Sequence, residues 1–130
     1  MSKNSFLIFF KKWAAARAGI ELVNINPLYT APELEYALNK VNVKVLICPE
    51  TIGALDYYSI LQDLIPDLEK RDRNNLKVSS LKKLEKIIFY SNSEPKAGTF
   101  QWSDIEQAAE SKHLNQIESI KIRSLFLNLL

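Results

Sequence analysis

Apolar and polar positions along this chain fall into two rhythms. Residues Ile20–Ile25 (IELVNI) and Val43–Pro49 (VKVLICP) are short runs, mostly apolar and β-branched. Such runs are expected of strands buried on both faces. Between them Leu34, Ala37, Leu38 and Val41 recur at helical spacing, forming one apolar stripe. Glu33, Glu35, Asn39 and Lys40 fall mainly on the other side. A third strand is expected over Glu85–Tyr90 (EKIIFY). Ala54, Tyr58, Leu61, Leu64, Ile65 and Leu68 mark a further helix, with Pro66 disturbing its last turn. Phe6, Phe9, Phe10, Trp13 and Ala16 predict an amphipathic first helix.

The residues between these runs supply starts and stops. Gly19 is placed to end the first helix in the left-handed conformation. Asn26-Pro27 breaks the first strand, because proline lacks an N–H and pushes its predecessor to extended geometry. Thr30 and Glu33 make a capping box, and Pro32 sits in the first turn, where its missing N–H costs nothing. Asn42 is placed to end that helix in the left-handed region. KRDRNNLK (Lys70–Lys77) and SNSEPKAG read as exposed loops. Ser103 and Glu106 make a second capping box, opening a short helix through Ala109.

Strands alternating with helices argue for parallel pairing through crossover connections. The expected fold class is α/β, a partial layered sheet of about three strands, fewer than the five or six of a typical sheet. At 130 residues the chain is one domain at most, yet long enough to bury a core without metals or disulfides. The net charge of +2, with basic and acidic residues interspersed, gives no basis for nucleic-acid binding. Cys48 is the only cysteine, so no internal disulfide forms. The start is basic and free of acids up to Glu21, which a transit peptide also shows. The packed-helix reading is favoured for it. The run Phe6–Phe10 is too short to span a membrane.

The stretch WAAARAGIELVNINPLYTAPELEYALNKVNVKVLICPE resembles the front part of the acyl-CoA synthetases of the adenylate-forming (AMP-binding) superfamily, and within it the medium-chain acyl-CoA ligase branch. The resemblance is carried by Ala16-Arg17-Ala18-Gly19, Leu22-Val23, Asn26-Pro27, Tyr29, Glu33-Leu34-Glu35 and Cys48-Pro49. YYSILQDLIPDL, the Leu81–Tyr90 segment and GTFQWSDIEQAA resemble the next segments of that branch, in the same order. It implies three parts: a divergent extension at 1–12, a partial AMP-binding domain at 13–120, and a divergent tail at 121–130. The fold would then be a fragment of the large N-terminal domain of an adenylate-forming enzyme.

The resemblance also implies a chemistry for the whole family. ATP and a fatty acid give an acyl-adenylate and pyrophosphate, with Mg²⁺, and CoA then displaces AMP. The phosphates sit in a Ser/Thr/Gly-rich loop ending Pro-Lys-Gly. A loop whose N–H groups converge on phosphates needs several small residues together. The segment SEPKAG (Ser93, Glu94, Pro95, Lys96, Ala97, Gly98) has Pro-Lys and one glycine. It lacks the preceding run of small residues, and Glu94 would repel phosphate. It is therefore expected to be a surface loop. The chain is expected to stop just short of the true phosphate loop, as a truncated gene model, a partial duplicate or a splice product would. On this reading no catalytic, cofactor-binding or metal-binding residue is assigned. ATP, Mg²⁺ and CoA belong to the full-length family, not to this chain alone.

The other candidates are read as structural. His113 is the only histidine, too few for a histidine metal cluster. Cys48 lies on an expected buried strand and reads as a small hydrophobe. Asp63, Asp67 and Glu69 read as a solvated face, Trp13 and Trp102 as core or cap anchors, and SLFLNLL as an unpaired apolar tail. Two functions remain. One is an acyl-CoA synthetase fragment, inactive alone and mitochondrial by resemblance, or cytoplasmic if the start is no transit peptide. The other is a non-catalytic protein that binds a full-length synthetase or another partner. Self-association through uncovered surfaces fits either.

Overall fold

A computed structural model of the chain describes residues 12–90, 93–108 and 124–129. Residues 12–17 form helix α1, which ends at Gly19 with φ at 66°. Strand β1 (Ile20–Ile25) follows, then helix α2 (Ala31–Lys40) and strand β2 (Val45–Cys48). A tight hairpin of β3 (Thr51–Ile52) and β4 (Leu55–Asp56) leads into helix α3 (Tyr57–Leu64). After a 3-10 turn at Leu68–Lys70 come β5 (Lys86–Phe89), β6 (Phe100–Gln101), helix α4 (Trp102–Ala108) and β7 (Ser124–Leu129).

The main sheet has five strands in the order β1-β7-β2-β5-β6, and every neighbouring pair is parallel. The fold is thus α/β with a parallel sheet. Two expectations change. β1 and β2 run parallel, but they are not neighbours, because β7 lies between them. Ser124–Leu129, expected to be an unpaired tail, is therefore an inner strand, paired along its whole length with β1 and over Phe126–Asn128 with β2. An apolar run of strand length finds its hydrogen-bond partners in the slot that the crossover through α2 leaves open.

The helix ends follow local chemistry. The Glu33 carboxylate accepts from both the Thr30 N–H and the Thr30 hydroxyl, each at 2.8 Å. These bonds hold the Glu33 carboxyl below its ordinary pKa of 4.5, the backbone bond being the larger cause. At the other end of α2, Asn42 has φ at 54°. The Val43 N–H donates to Leu38 O and the Asn42 N–H to Asn39 O, the paired bonds of a Schellman ending. In α3 the Asp56 carboxylate accepts from the N–H groups of Tyr58 and Ser59, an N-cap that satisfies two orphan donors.

The core lies on the α2/α3 side of the sheet. Leu34 and Leu38 from α2, Leu46 and Cys48 from β2, Tyr57 and Leu61 from α3, and Ile87 and Phe89 from β5 are all buried. The polar stretch at 70–77 is also anchored. Leu76 is buried, and Arg71 donates to the carbonyls of Pro66, Leu76 and Lys77. Asn39, assigned to a polar face, pins the next turn: it donates to Ser80 O and accepts from the Lys82 N–H.

Three further expectations are corrected. Ala54 belongs to the β3–β4 hairpin, not to a helix, because Gly53 at φ 58° makes a two-residue turn there. Helix α4 starts at Trp102, with the Asp104 carboxylate accepting from the Gln101 N–H, so Ser103 is not its cap. Trp13 is 62% exposed and is no core anchor. Ala14, Ala15 and Ala18 of α1 instead line an open cleft beside the sheet. No helix among the described residues is long and apolar enough to cross a membrane.

Candidate functional site

In open parallel sheets ligands bind at the carboxyl ends of the strands. Here that end of β2 and β5 is covered by the SEPKAG segment, so its residues can be followed one by one. β2 ends at Cys48, and Pro49-Glu50 turns the chain over the sheet edge. The Glu50 backbone carbonyl accepts from the Tyr57 N–H at 2.9 Å, which fixes the residue against the start of α3. Its carboxylate then faces the loop. Lys96 Nζ lies 3.1 Å from Glu50 Oε1, and Ser93 Oγ donates to Glu50 Oε2. The two groups most suggestive of phosphate chemistry are thus tied to one carboxylate. The hydrogen bond and charge of Glu50 push the Lys96 pKa above 10.5.

The rest of the segment is fastened as firmly. The Tyr58 hydroxyl donates to Ala97 O at 3.0 Å, and Lys96 Nζ lies 5.6 Å from the centre of the Tyr58 ring. The Thr99 hydroxyl and N–H both donate to Lys96 O. Gly98 adopts φ at 77°, and a Cβ there would collide with the Leu68 carbonyl group. The glycine is needed for a close approach between two loops of the same chain.

This arrangement binds a loop to a sheet edge. A phosphate site needs free N–H groups and uncompensated positive charge. Here the lysine is paired, and Ser93 serves the same carboxylate. Glu94 is exposed beside them. Glu50, Tyr58 and Leu68, which hold the loop, carry no motif in the sequence; only the fold brings them together.

The other candidates are dispersed. Cys48 is fully buried. Tyr90 follows β5 and is partly buried. Burial, and then the neighbouring Cys48 and Tyr57, push its hydroxyl up to about 12. Asp63, Asp67 and Glu69 are exposed as expected, and Asp67 lies 3.5 Å from Lys70. Trp102 is half-buried, and its indole N–H donates to Glu106. His113 falls outside the described residues. No group of three metal-ligating side chains occurs among the described residues.

Two of the clefts lined by the described residues flank the sheet. One, of about 530 Å³, runs beside β1 and α2 and is rimmed by Tyr29, Glu33, Tyr36 and Lys40. The other, of about 510 Å³, is an almost wholly apolar trough between α1 and α4. Its walls include Ala14, Ala18, Leu22, Ile47, Ile88 and Trp102.

No protein-family model matches the chain, and no solved structure matches it either. Curated proteins do. The human medium-chain acyl-CoA ligase ACSF2, mitochondrial, is 35% identical over 116 residues, 88% of this chain and 18% of the relative. The zebrafish protein of the same name is 34% identical over 110 residues, 85% of this chain and 18% of the relative. The mouse protein is 37% identical over 125 residues, 96% of this chain and 20% of the relative. The chain thus spans about a fifth of the length of the curated relatives it matches. By sequence, it is homologous to one segment of the medium-chain acyl-CoA ligases, a branch of the acyl-CoA synthetases.

Proposed function

We propose that these 130 residues are a non-catalytic scaffold segment of an acyl-CoA synthetase, part of the AMP-binding domain of an adenylate-forming enzyme. The relatives' names supply the family. One observation carries the non-catalytic reading: Lys96, the lysine that most resembles a phosphate ligand, is held by Glu50 at 3.1 Å as a loop fastener. Adenylation stabilises charge moving on the α-phosphate. That requires a cradle of N–H groups, a metal and a positioned cation. The Glu50–Lys96–Ser93 cluster supplies one cation, already neutralised. ATP, Mg²⁺ and CoA would be handled by other parts of a full-length enzyme, in the mitochondrial compartment by which the relatives are named.

ATP–pyrophosphate exchange with medium-chain fatty acids, run on the purified chain and on Lys96→Ala, tests this reading. The expected result is no exchange above a no-enzyme control in either protein. Exchange that appears in the wild type and disappears in the variant would overturn it.

A further inference from the structure

Trp13 stands apart from the core on helix α1, 62% exposed. Lys12 and Arg17 on the same helix are exposed as well. Arg17 lies four residues beyond Trp13, so the two share one side of the helix. Among the described residues neither Lys12 nor Arg17 belongs to an ion pair. The exposed part of α1 is thus an indole ring accompanied by two unneutralised cations. Ala14, Ala15 and Ala18 line the apolar cleft instead. Gly19 then carries the chain straight into β1, so the exposed face is held at the start of a sheet strand.

Charge along the sequence is distributed to match. Ahead of Glu21, the first acid, the chain carries Lys3, Lys11, Lys12 and Arg17. From Glu21 onward acids outnumber bases. The net charge of +2 therefore originates at this end. Asymmetry of this kind favours a polyanionic partner, a membrane or a nucleic acid. The indole decides between them. Its apolar body and polar N–H suit the level of lipid head groups, where basic side chains are drawn to anionic lipid. A nucleic-acid groove instead tracks a backbone with cations along its length. Here two cations cluster about one ring.

We propose that the Lys12–Trp13–Arg17 face of α1 is a membrane-surface contact, and that its partner is a bilayer rich in anionic phospholipid. Residues 12–17 make a helix about 9 Å long, which rests on the surface and does not cross it. Contact through so short a helix is peripheral and reversible. Each cation near the surface is worth about a fivefold change in affinity. The inference goes beyond the scaffold reading and does not depend on it.

Vesicle binding of the full chain tests it. The probes are vesicles of phosphatidylglycerol and vesicles of phosphatidylcholine, followed by co-sedimentation and by tryptophan emission. The expected result is binding to the first and not the second, a blue shift as Trp13 leaves water, and release by added salt. Lys12→Gln/Arg17→Gln is expected to weaken binding by about 25-fold. Trp13→Ala should weaken binding and abolish the blue shift, whereas Trp13→Phe should keep most of the binding. Tyr36→Ala, at a position 65% exposed on α2, should bind as the wild type does. All these positions are exposed, so melting temperatures should stay nearly unchanged. The wild-type blue shift and its salt dependence decide without any variant. Failure to bind phosphatidylglycerol, or equal binding to both lipids, would overturn the proposal. So would binding that the α1 variants leave intact, or a single-stranded RNA that competes the chain off the vesicles.

Discussion

The backbone carbonyl of Leu68 fills the space that a side chain on Gly98 would need. This contact accounts for the glycine in SEPKAG. It predicts a sharp difference between two glycines of similar backbone geometry. Gly53 has φ at 58° and open space where its Cβ would be, whereas Gly98 has φ at 77° and a backbone group in the way. Gly53→Ala is expected to cost only left-handed strain, about 1 kcal/mol. Gly98→Ala is expected to cost more than about 2 kcal/mol, because the loop must also move. Denaturant unfolding of the two variants measures the difference. Equal losses would show that the Leu68 contact is not what requires the glycine.

The cap of α2 gives a pH dependence of known sign. Glu33 has its carboxyl pKa lowered by the Thr30 bonds. Its contribution is therefore complete above the ordinary value of 4.5 and fades as the pH falls through the lower folded value. Melting temperatures of wild type and Glu33→Gln, followed from neutral pH to about pH 3, should differ at the top of that range. They should converge at the bottom. A difference that grows in acid would contradict the assignment.

The trough between α1 and α4 is apolar and open. An open apolar surface of this kind binds hydrophobic dyes and favours association. The chain is expected to enhance the fluorescence of an anilinonaphthalene dye under native conditions. Ala14→Glu, on the exposed rim, should reduce the signal while leaving the melting temperature nearly unchanged. A chain that melts sharply as a monomer and leaves the dye dark would mean that this face is covered.

Much of the architecture is legible in local residues. The Thr30–Glu33 box, the left-handed Gly19 and Asn42, and the strand runs at 20–25 and 45–48 all act through neighbours in sequence, where spacing carries the information. The features that are not legible depend on distant partners. Nothing near Ser124 says that its run will pair with Ile20. Nothing near Ala97 names Tyr58, 39 residues away, as the donor to its carbonyl. Trp13 lies outside the core because helical spacing identifies a stripe without saying which side meets the sheet. The missing glycines and hydroxyls of SEPKAG distinguish it in sequence from a phosphate loop. Its fasteners, Glu50 and Leu68, emerge only once the strands are in place.

Amide hydrogen exchange over residues 93–99, with and without Mg·ATP, tests most directly whether the SEPKAG loop is a fastener or a phosphate site. In wild type the Thr99 amide, donated to Lys96 O, should be protected to the same extent in both conditions. In Lys96→Ala the protection should fall because the loop loses its hold on Glu50, again regardless of nucleotide. Millimolar Mg·ATP that slows exchange across the wild-type loop, with the effect lost in Lys96→Ala, would contradict the account and make the segment a nucleotide site.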